Sequence, residues 1–217
     1  MQNERLTQTI NFVKNTLSEA ESGHDWLHAE RVYKTALLLA KTEPSCNLTV
    51  VALAALLHDI ADSKFYDDDE TVGIELIKQF LESQQLDIET ISEILFIIEN
   101  LSFKNSFNQN IKKTIEFQIV QDADRLDATG AIGIARAFNY GGYKKRPFYN
   151  NEKAVQIFSD SDSYKKNTSP TINHFYEKLL KLKELMNTPQ AKQIAEKRHE
   201  FMIDFLQQFD SERNGLK

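Results

Sequence analysis

Two of the chain's five histidines, His24 and His28, stand in "SGHDWLHAERV", with Asp25 between them. A third, His58, lies in "ALLHDIAD" with Asp59 directly after it, and "VQDADRLDATGAIG" supplies Asp122, Asp124 and Asp127. Imidazoles and carboxylates together make a mixed nitrogen and oxygen donor set suited to Mn, Fe, Ni, Zn or Mg. Such an ion lowers the pKa of water and polarises a phosphoryl group. Spacing limits how the groups can meet. Adjacent helical residues point about 100° apart, so one ion takes both His58 and Asp59 only if it lies off the helix between them. That arrangement leaves room for ligands from other helices. Gly23 and Asp25 place a helix start between His24 and His28, which puts His28 in the first turn with Arg31 three residues on. Each residue also has a plainer reading. A histidine near a helix start is often simply hydrogen-bonded, His-Asp pairs arise by chance, and an aspartate near a helix end can cap the next one. Spacing alone leaves both readings open.

Helical periodicity dominates the elements that must carry these groups. Glycine (7) and proline (4) are few, and no alternating apolar runs with hairpin turns occur, so the sequence predicts an all-α fold. A first helix is expected over about Glu4 to Glu21, ended by Gly23, and a second over Trp26 to Lys41, capped by Asp25. "LTVVALAALLHDIAD" is apolar on nearly every side, as in a helix at the centre of a bundle, with Thr49 as its cap. An amphipathic helix through Phe80 and another from Asp87 to Asn100 follow. The longest pattern spans about Ile111 to Asn139, with Gly130 and Gly133 inside it and Gly141-Gly142 stopping it. Ser169-Pro170 signals a helix through Met186, and Thr188-Pro189 repeats that signal before the last one.

The 217 residues suffice for one well-packed domain or a domain with a sizeable appendage. A net charge of −6 gives no sequence-wide attraction to nucleic acid or an anionic membrane, and neither is an expected partner. A phosphate-bearing ligand therefore needs a metal or a local Lys/Arg cluster. The amino-terminal residues lack a signal-peptide layout, no apolar run approaches the roughly 20 residues of a membrane span, and the single Cys46 fits a reducing compartment. The cytoplasm is the expected location. Apolar faces on the C-terminal helices suit either the core or a second copy, which leaves a homodimer open.

The order His28, His58-Asp59, Asp124, in the contexts "HAERV", "AALLHDI" and "ADRLD", resembles the HD-domain metal-dependent phosphohydrolases, whose signature is H…HD…D on an all-α bundle. More narrowly, "GHDWLHAERV", "QDADRLDATGAIGIARAFNYGG" and "INHFYEKLLKLKELMNT" are similar to the small bacterial YpgQ/YedJ-type branch, over about Gly23 to Phe205. The resemblance implies an HD-type helical bundle as a single domain over 1–217, with a metal-binding core over about 20–145 and a C-terminal helical extension over about 146–217. It implies a divalent metal, manganese favoured, held by His28, His58, Asp59 and Asp124, the last preferred to Asp122 for its Ala-Asp-Arg-Leu context. The branch implies a nucleotide substrate and a pyrophosphohydrolase that turns a nucleoside triphosphate into monophosphate and pyrophosphate. Alternatives are a nucleotide phosphatase, an alarmone hydrolase, or a non-catalytic nucleotide sensor.

Around that metal set, Lys64, Asp62 and His24 are the expected catalytic groups. Lys64 would bind phosphate, Asp62 would orient water or the Lys64 ammonium, and His24 would stand behind a ligand or face the substrate. Arg31, Lys144, Lys145, Arg146 and Tyr140 are the expected substrate-binding set, with "YGGYKKRPF" offering cations for phosphate and rings for a base. For each a structural alternative exists: a solvated lysine, a turn-capping aspartate, an arginine paired with Asp25, a basic loop after a helix end. His174 and His199 are read as structural.

Overall fold

The structure is a computed structural model, and it describes residues 2–18, 20, 24–67, 69, 71–101, 112–150, 152, 154–156 and 168–216. Among them helices account for all regular structure: α1 Gln2–Thr16, α2 Trp26–Ala40, α3 Leu48–Leu57, α4 Val72–Ser83, α5 Ile88–Asn100, α6 Ile115–Asp127, α7 Gly130–Tyr143, α8 Thr171–Glu177 and α9 Pro189–Arg213. The chain divides into two compact units, Met1–Asp124 and Arg125–Lys217. No helix among the described residues is long and apolar enough to cross a membrane. Gly23, expected to end the first helix, and Ile111, expected to open the longest one, lie outside the described residues.

The first unit is organised around α3. Val50, Val51, Leu53 and the run Ala54–Leu57 are buried, and α1, α2 and α5 all pack against this helix. A helix apolar on every side has no solvent face to offer, so it must sit at the centre. Its cap is Asn47 rather than Thr49: the Asn47 side-chain oxygen accepts from the backbone N–H of Thr49 at 3.0 Å and of Val50 at 3.4 Å. Glu116 of α6 accepts the Asn47 N–H at 2.7 Å, which ties α6 to the entrance of α3. The α-helical winding stops at Leu57, and the chain tightens into a 3-10 turn over His58–Ala61 and another over Ser63–Phe65. The first helix ends at Thr16, earlier than the expected Glu21, although Leu17 still donates its N–H to Val13.

Three departures from the expected elements fall in the second unit. The single long helix to Asn139 is broken: α6 stops at Asp127 and α7 begins at Gly130, whose φ of +67° lies in the left-handed region. A Cβ there would come within 3.0 Å of the Arg198 side chain, and Arg198 Nη1 donates to the Leu126 carbonyl at 2.6 Å. Arg125 donates to the Leu185 carbonyl, and Arg136 pairs with Asp127 at 2.7 Å. Arg198 and Arg136 thus satisfy the Leu126 carbonyl and the buried Asp127 carboxylate at the end of the broken helix. Gly141-Gly142 does not stop α7, which runs on to Tyr143. Pro170 precedes the first helical residue of α8 instead of occupying it, and α8 ends at Glu177, with a 3-10 segment over Leu179–Leu185 in place of its continuation. Thr188-Pro189 does start α9, the Thr188 hydroxyl accepting from the Ala191 N–H. Phe138, Phe148, Phe205 and Phe209 cluster with the buried Phe175 in this unit, neighbouring ring centroids 5.1–6.2 Å apart.

Candidate metal centre

The site assembles at the ends of apolar helices in the first unit. Asp25 caps α2, its Oδ1 accepting from the His28 N–H at 2.9 Å, and so fixes the first turn from which His28 reaches inward to 1% exposure. His58 leaves the last turn of α3. Its Nδ1 lies 2.9 Å from the Ala55 carbonyl, which can only accept, so Nδ1 carries the proton and the Nε2 lone pair faces the centre. There it meets His28 Nε2 at 3.2 Å. Asp59 spans the pair, Oδ1 3.2 Å from His58 Nε2 and Oδ2 3.3 Å from His28 Nε2. Asp124, one turn from the end of α6, brings Oδ1 to 3.5 Å from His28 Nε2 and 3.9 Å from His58 Nε2. The ligand atoms of His28, His58 and Asp124 all lie within 4.8 Å of one another. Asp122 is fully buried and stands outside that group.

The electrostatics fit a cation. Two imidazole nitrogens 3.2 Å apart, one with its lone pair committed to the centre, repel unless a proton or a cation lies between them. Burial would push the Asp59 pKa up, but the adjacent His58 and His28, then His24, outweigh it and hold the carboxyl well below the ordinary range. Asp124 is lowered in the same way: burial opposes, while His28 and His58 prevail. Both carboxylates are therefore ionised, and with the imidazole nitrogens facing them they form a nitrogen and oxygen donor set of the type that divalent first-row ions take. His24 Nδ1 and Asp59 Oδ2 are buried without a hydrogen bond, although they lie 3.3 Å apart. Burial lowers the His24 pKa, but the neighbouring Asp59 more than reverses it and the net shift is upward; Lys64 opposes and Asp62 assists.

The remaining expected site residues are placed as follows. Asp62 does two things at once: Oδ1 accepts the Lys64 backbone N–H at 3.1 Å and Oδ2 holds the Lys64 ammonium at 3.0 Å. Both act electrostatically on His24. Arg31 is half-buried on α2. Lys144, Lys145, Arg146 and Tyr140 belong to the second unit, where Lys144 Nζ lies 4.8 Å from the Tyr143 ring centroid and Arg146 Cζ 5.6 Å from that of Tyr140. His174 is a half-buried base in that unit: desolvation, then Lys178 and Arg146, push its pKa down to about 3. Two contributors escaped sequence reasoning. The Ala55 carbonyl sets the His58 tautomer, and a backbone group leaves no mark on residue type. Gly73 of α4 lies so close to the HD turn that a Cβ would stand 2.6 Å from the Ile60 carbonyl oxygen.

Known proteins bear on this geometry. The HD domain family matches residues 26–129, which span His28 through Asp124. YpgQ of Bacillus subtilis is 35% identical over 212 residues, covering 96% of this chain and 94% of YpgQ. A crystal structure of YpgQ in complex with ADP superposes with a TM-score of 0.75 at 33% identity, covering 98% of this chain and 100% of that one. An HD-superfamily hydrolase from Bacillus thuringiensis gives a TM-score of 0.78 at 43% identity over 99% of each chain. A Lactobacillus plantarum protein gives 0.84 at 37% identity over 98% of each. The chain belongs to the HD domain family and is an HD-superfamily hydrolase.

Proposed function

We propose that this chain is a divalent-metal-dependent nucleotide pyrophosphohydrolase, cleaving a nucleoside triphosphate to the monophosphate and pyrophosphate, with manganese as the favoured ion. HD domains bind a divalent metal, and one observation carries the reading here: His28 Nε2 and His58 Nε2 converge to 3.2 Å between the Asp59 and Asp124 carboxylates, with the His58 proton drawn away to Ala55. His28, His58, Asp59 and Asp124 would hold the ion. When bound, it supplies Lewis acidity toward a phosphoryl oxygen and acidifies water for attack on phosphorus. Asp62 keeps the Lys64 ammonium tethered, which restricts where that cation can meet phosphate charge and lowers the entropy lost on doing so. The complex of YpgQ with ADP supports a nucleotide as the ligand.

The test is a panel of nucleoside tri- and monophosphates and guanosine alarmones, with metal-stripped protein to which manganese is returned, and with the products identified. Pyrophosphate plus monophosphate is the expected outcome. Inorganic phosphate from a monophosphate would move the assignment to a phosphatase, and tight binding without turnover to a sensor. Full activity of the stripped protein would overturn the scheme.

A further inference from the structure

The geometry points to His24 as a positioning residue that acts through Asp59, holding the carboxylate's Oδ2 in place, and not as a substrate contact. The inference rests on the metal reading above and assigns a task to a histidine outside the H…HD…D set. His24 Nδ1 is buried and makes no hydrogen bond; Asp59 Oδ2, 3.3 Å away, is likewise buried and unbonded. Buried polar atoms are nearly always satisfied, and leaving one unmet costs about 1–3 kcal/mol. Two orphans facing each other at this distance are each other's remedy, needing only a small rotation of ring or carboxylate.

The chemistry of the centre shows why Asp59 needs this donor. The two Asp59 oxygens approach His58 Nε2 at 3.2 Å and His28 Nε2 at 3.3 Å. Once those nitrogens give their lone pairs to a cation, neither can carry a proton for Asp59. His24 Nδ1 is then the nearby ring nitrogen still able to donate to Oδ2. Metal-ligating groups are oriented by such outer partners, and removing one typically weakens metal binding by about 10- to 100-fold. The His24 ring is itself braced edge-to-face on His28, centroids 6.2 Å apart at 75°.

The test measures manganese alone, by titration calorimetry or by the electron-spin signal of free ion, on the full chain and three variants. His24→Ala is expected to bind manganese about 10- to 100-fold more weakly than the unsubstituted chain. His24→Asn, whose side-chain amide nitrogen occupies the Nδ1 position, is expected to recover most of that loss. Nucleotide KM at saturating manganese should change by less than about threefold in either variant, and both should melt with the parent in excess chelator. Parent-like manganese affinity in His24→Ala, no recovery in His24→Asn, or a raised KM with unchanged metal affinity would each overturn the assignment while leaving the metal centre standing. His58→Ala is the control. If it binds manganese as the parent does, the metal reading itself fails and this inference falls with it.

Discussion

Each unit of the chain withdraws histidine from solvent, wholly in the first and in part in the second, and the surroundings carry opposite charge. In the first unit His28 and His58 face Asp59 and Asp124, and the nearby His24 is held above its ordinary pKa by Asp59 despite its burial. In the second, His174 feels Lys178 and Arg146, and burial together with those cations drives its pKa down to about 3. A buried ionisable group must be paired, must coordinate something, or must stay neutral. The first unit sets its histidines against carboxylates and leaves its centre complementary to a cation; the second keeps its histidine neutral among cations. Histidine burial by itself therefore says nothing of function, and the sign of the surrounding charge does.

The sharpest way to break this comparison is to remove a member of the first unit's histidine and aspartate set. Excess manganese should raise the melting temperature of the parent chain, because a ligand that binds only the folded state stabilises it. In His58→Ala or Asp59→Ala that rise should vanish altogether, as read by thermal melts with and without the ion. Substituting His174 should leave the metal-induced rise intact.

The next largest effect belongs to the second unit, which relies on packing. Phe175 is fully buried, with its ring 6.0 Å from Phe205 and 6.2 Å from Phe138. Phe175→Ala should cost about 3–5 kcal/mol of stability, measured by denaturant titration, because the cavity adds to the lost transfer energy.

Much of the arrangement was legible in the sequence. Asp25 as a cap and the all-round apolar α3 rest on local pattern, and the structure places both accordingly. The preference for Asp124 over Asp122 came from the family resemblance, and Asp124 stands close to His28 and His58. The break between α6 and α7 was not legible. It depends on Arg198, remote in sequence, which packs against Gly130 and bonds the Leu126 carbonyl. Periodicity is a local signal, and a helix ended by a distant side chain keeps its period across the break. The tightening of the chain into a 3-10 turn at His58 was hidden for a related reason, since α and 3-10 turns share their residue preferences over a few positions. The pairing of His24 with Asp59 likewise joins two elements that no spacing rule connects.

A pH titration sharpens the contrast at smaller amplitude. The folded-state pKa of His174, about 3, lies below its unfolded value of 6.5, so the unfolded chain binds more protons between those limits. The stability contributed by neutral His174 is complete above pH 6.5 and is lost as pH falls toward 3. Between pH 7 and 4.5 this amounts to about 2–3 kcal/mol, and His174→Gln should flatten the curve by that much in denaturant titrations at stepped pH. The raised His24 has the opposite sign, its share being full below pH 6.5 and lost above. The depressed Asp59 and Asp124 act only below the ordinary carboxylate range. Of these four shifts, that of His174 is the one that acts between pH 4.5 and 6.5.

Two glycines complete the comparison with the smallest effects and opposite signs. A Cβ on Gly73 would stand 2.6 Å from the Ile60 carbonyl oxygen and 2.7 Å from Ala61 Cα, inside the turn that carries His58 and Asp59. Backbone cannot rotate away as a side-chain tip can, so Gly73→Ala must move the turn. It should cost about 1–3 kcal/mol and weaken manganese binding as well, since both ligands ride on the displaced segment. A Cβ on Gly142, in the last turn of α7, would meet nothing within 4 Å, and the residue sits within a helix. Gly142→Ala should therefore stabilise by about 0.4–1 kcal/mol through the unfolded state, with no change in manganese affinity. Measuring both variants by denaturant titration and metal titration separates the two causes. If Gly73→Ala lowers stability yet binds manganese as the parent does, the HD turn tolerates displacement, and its tight contact with α4 serves the fold and not the centre.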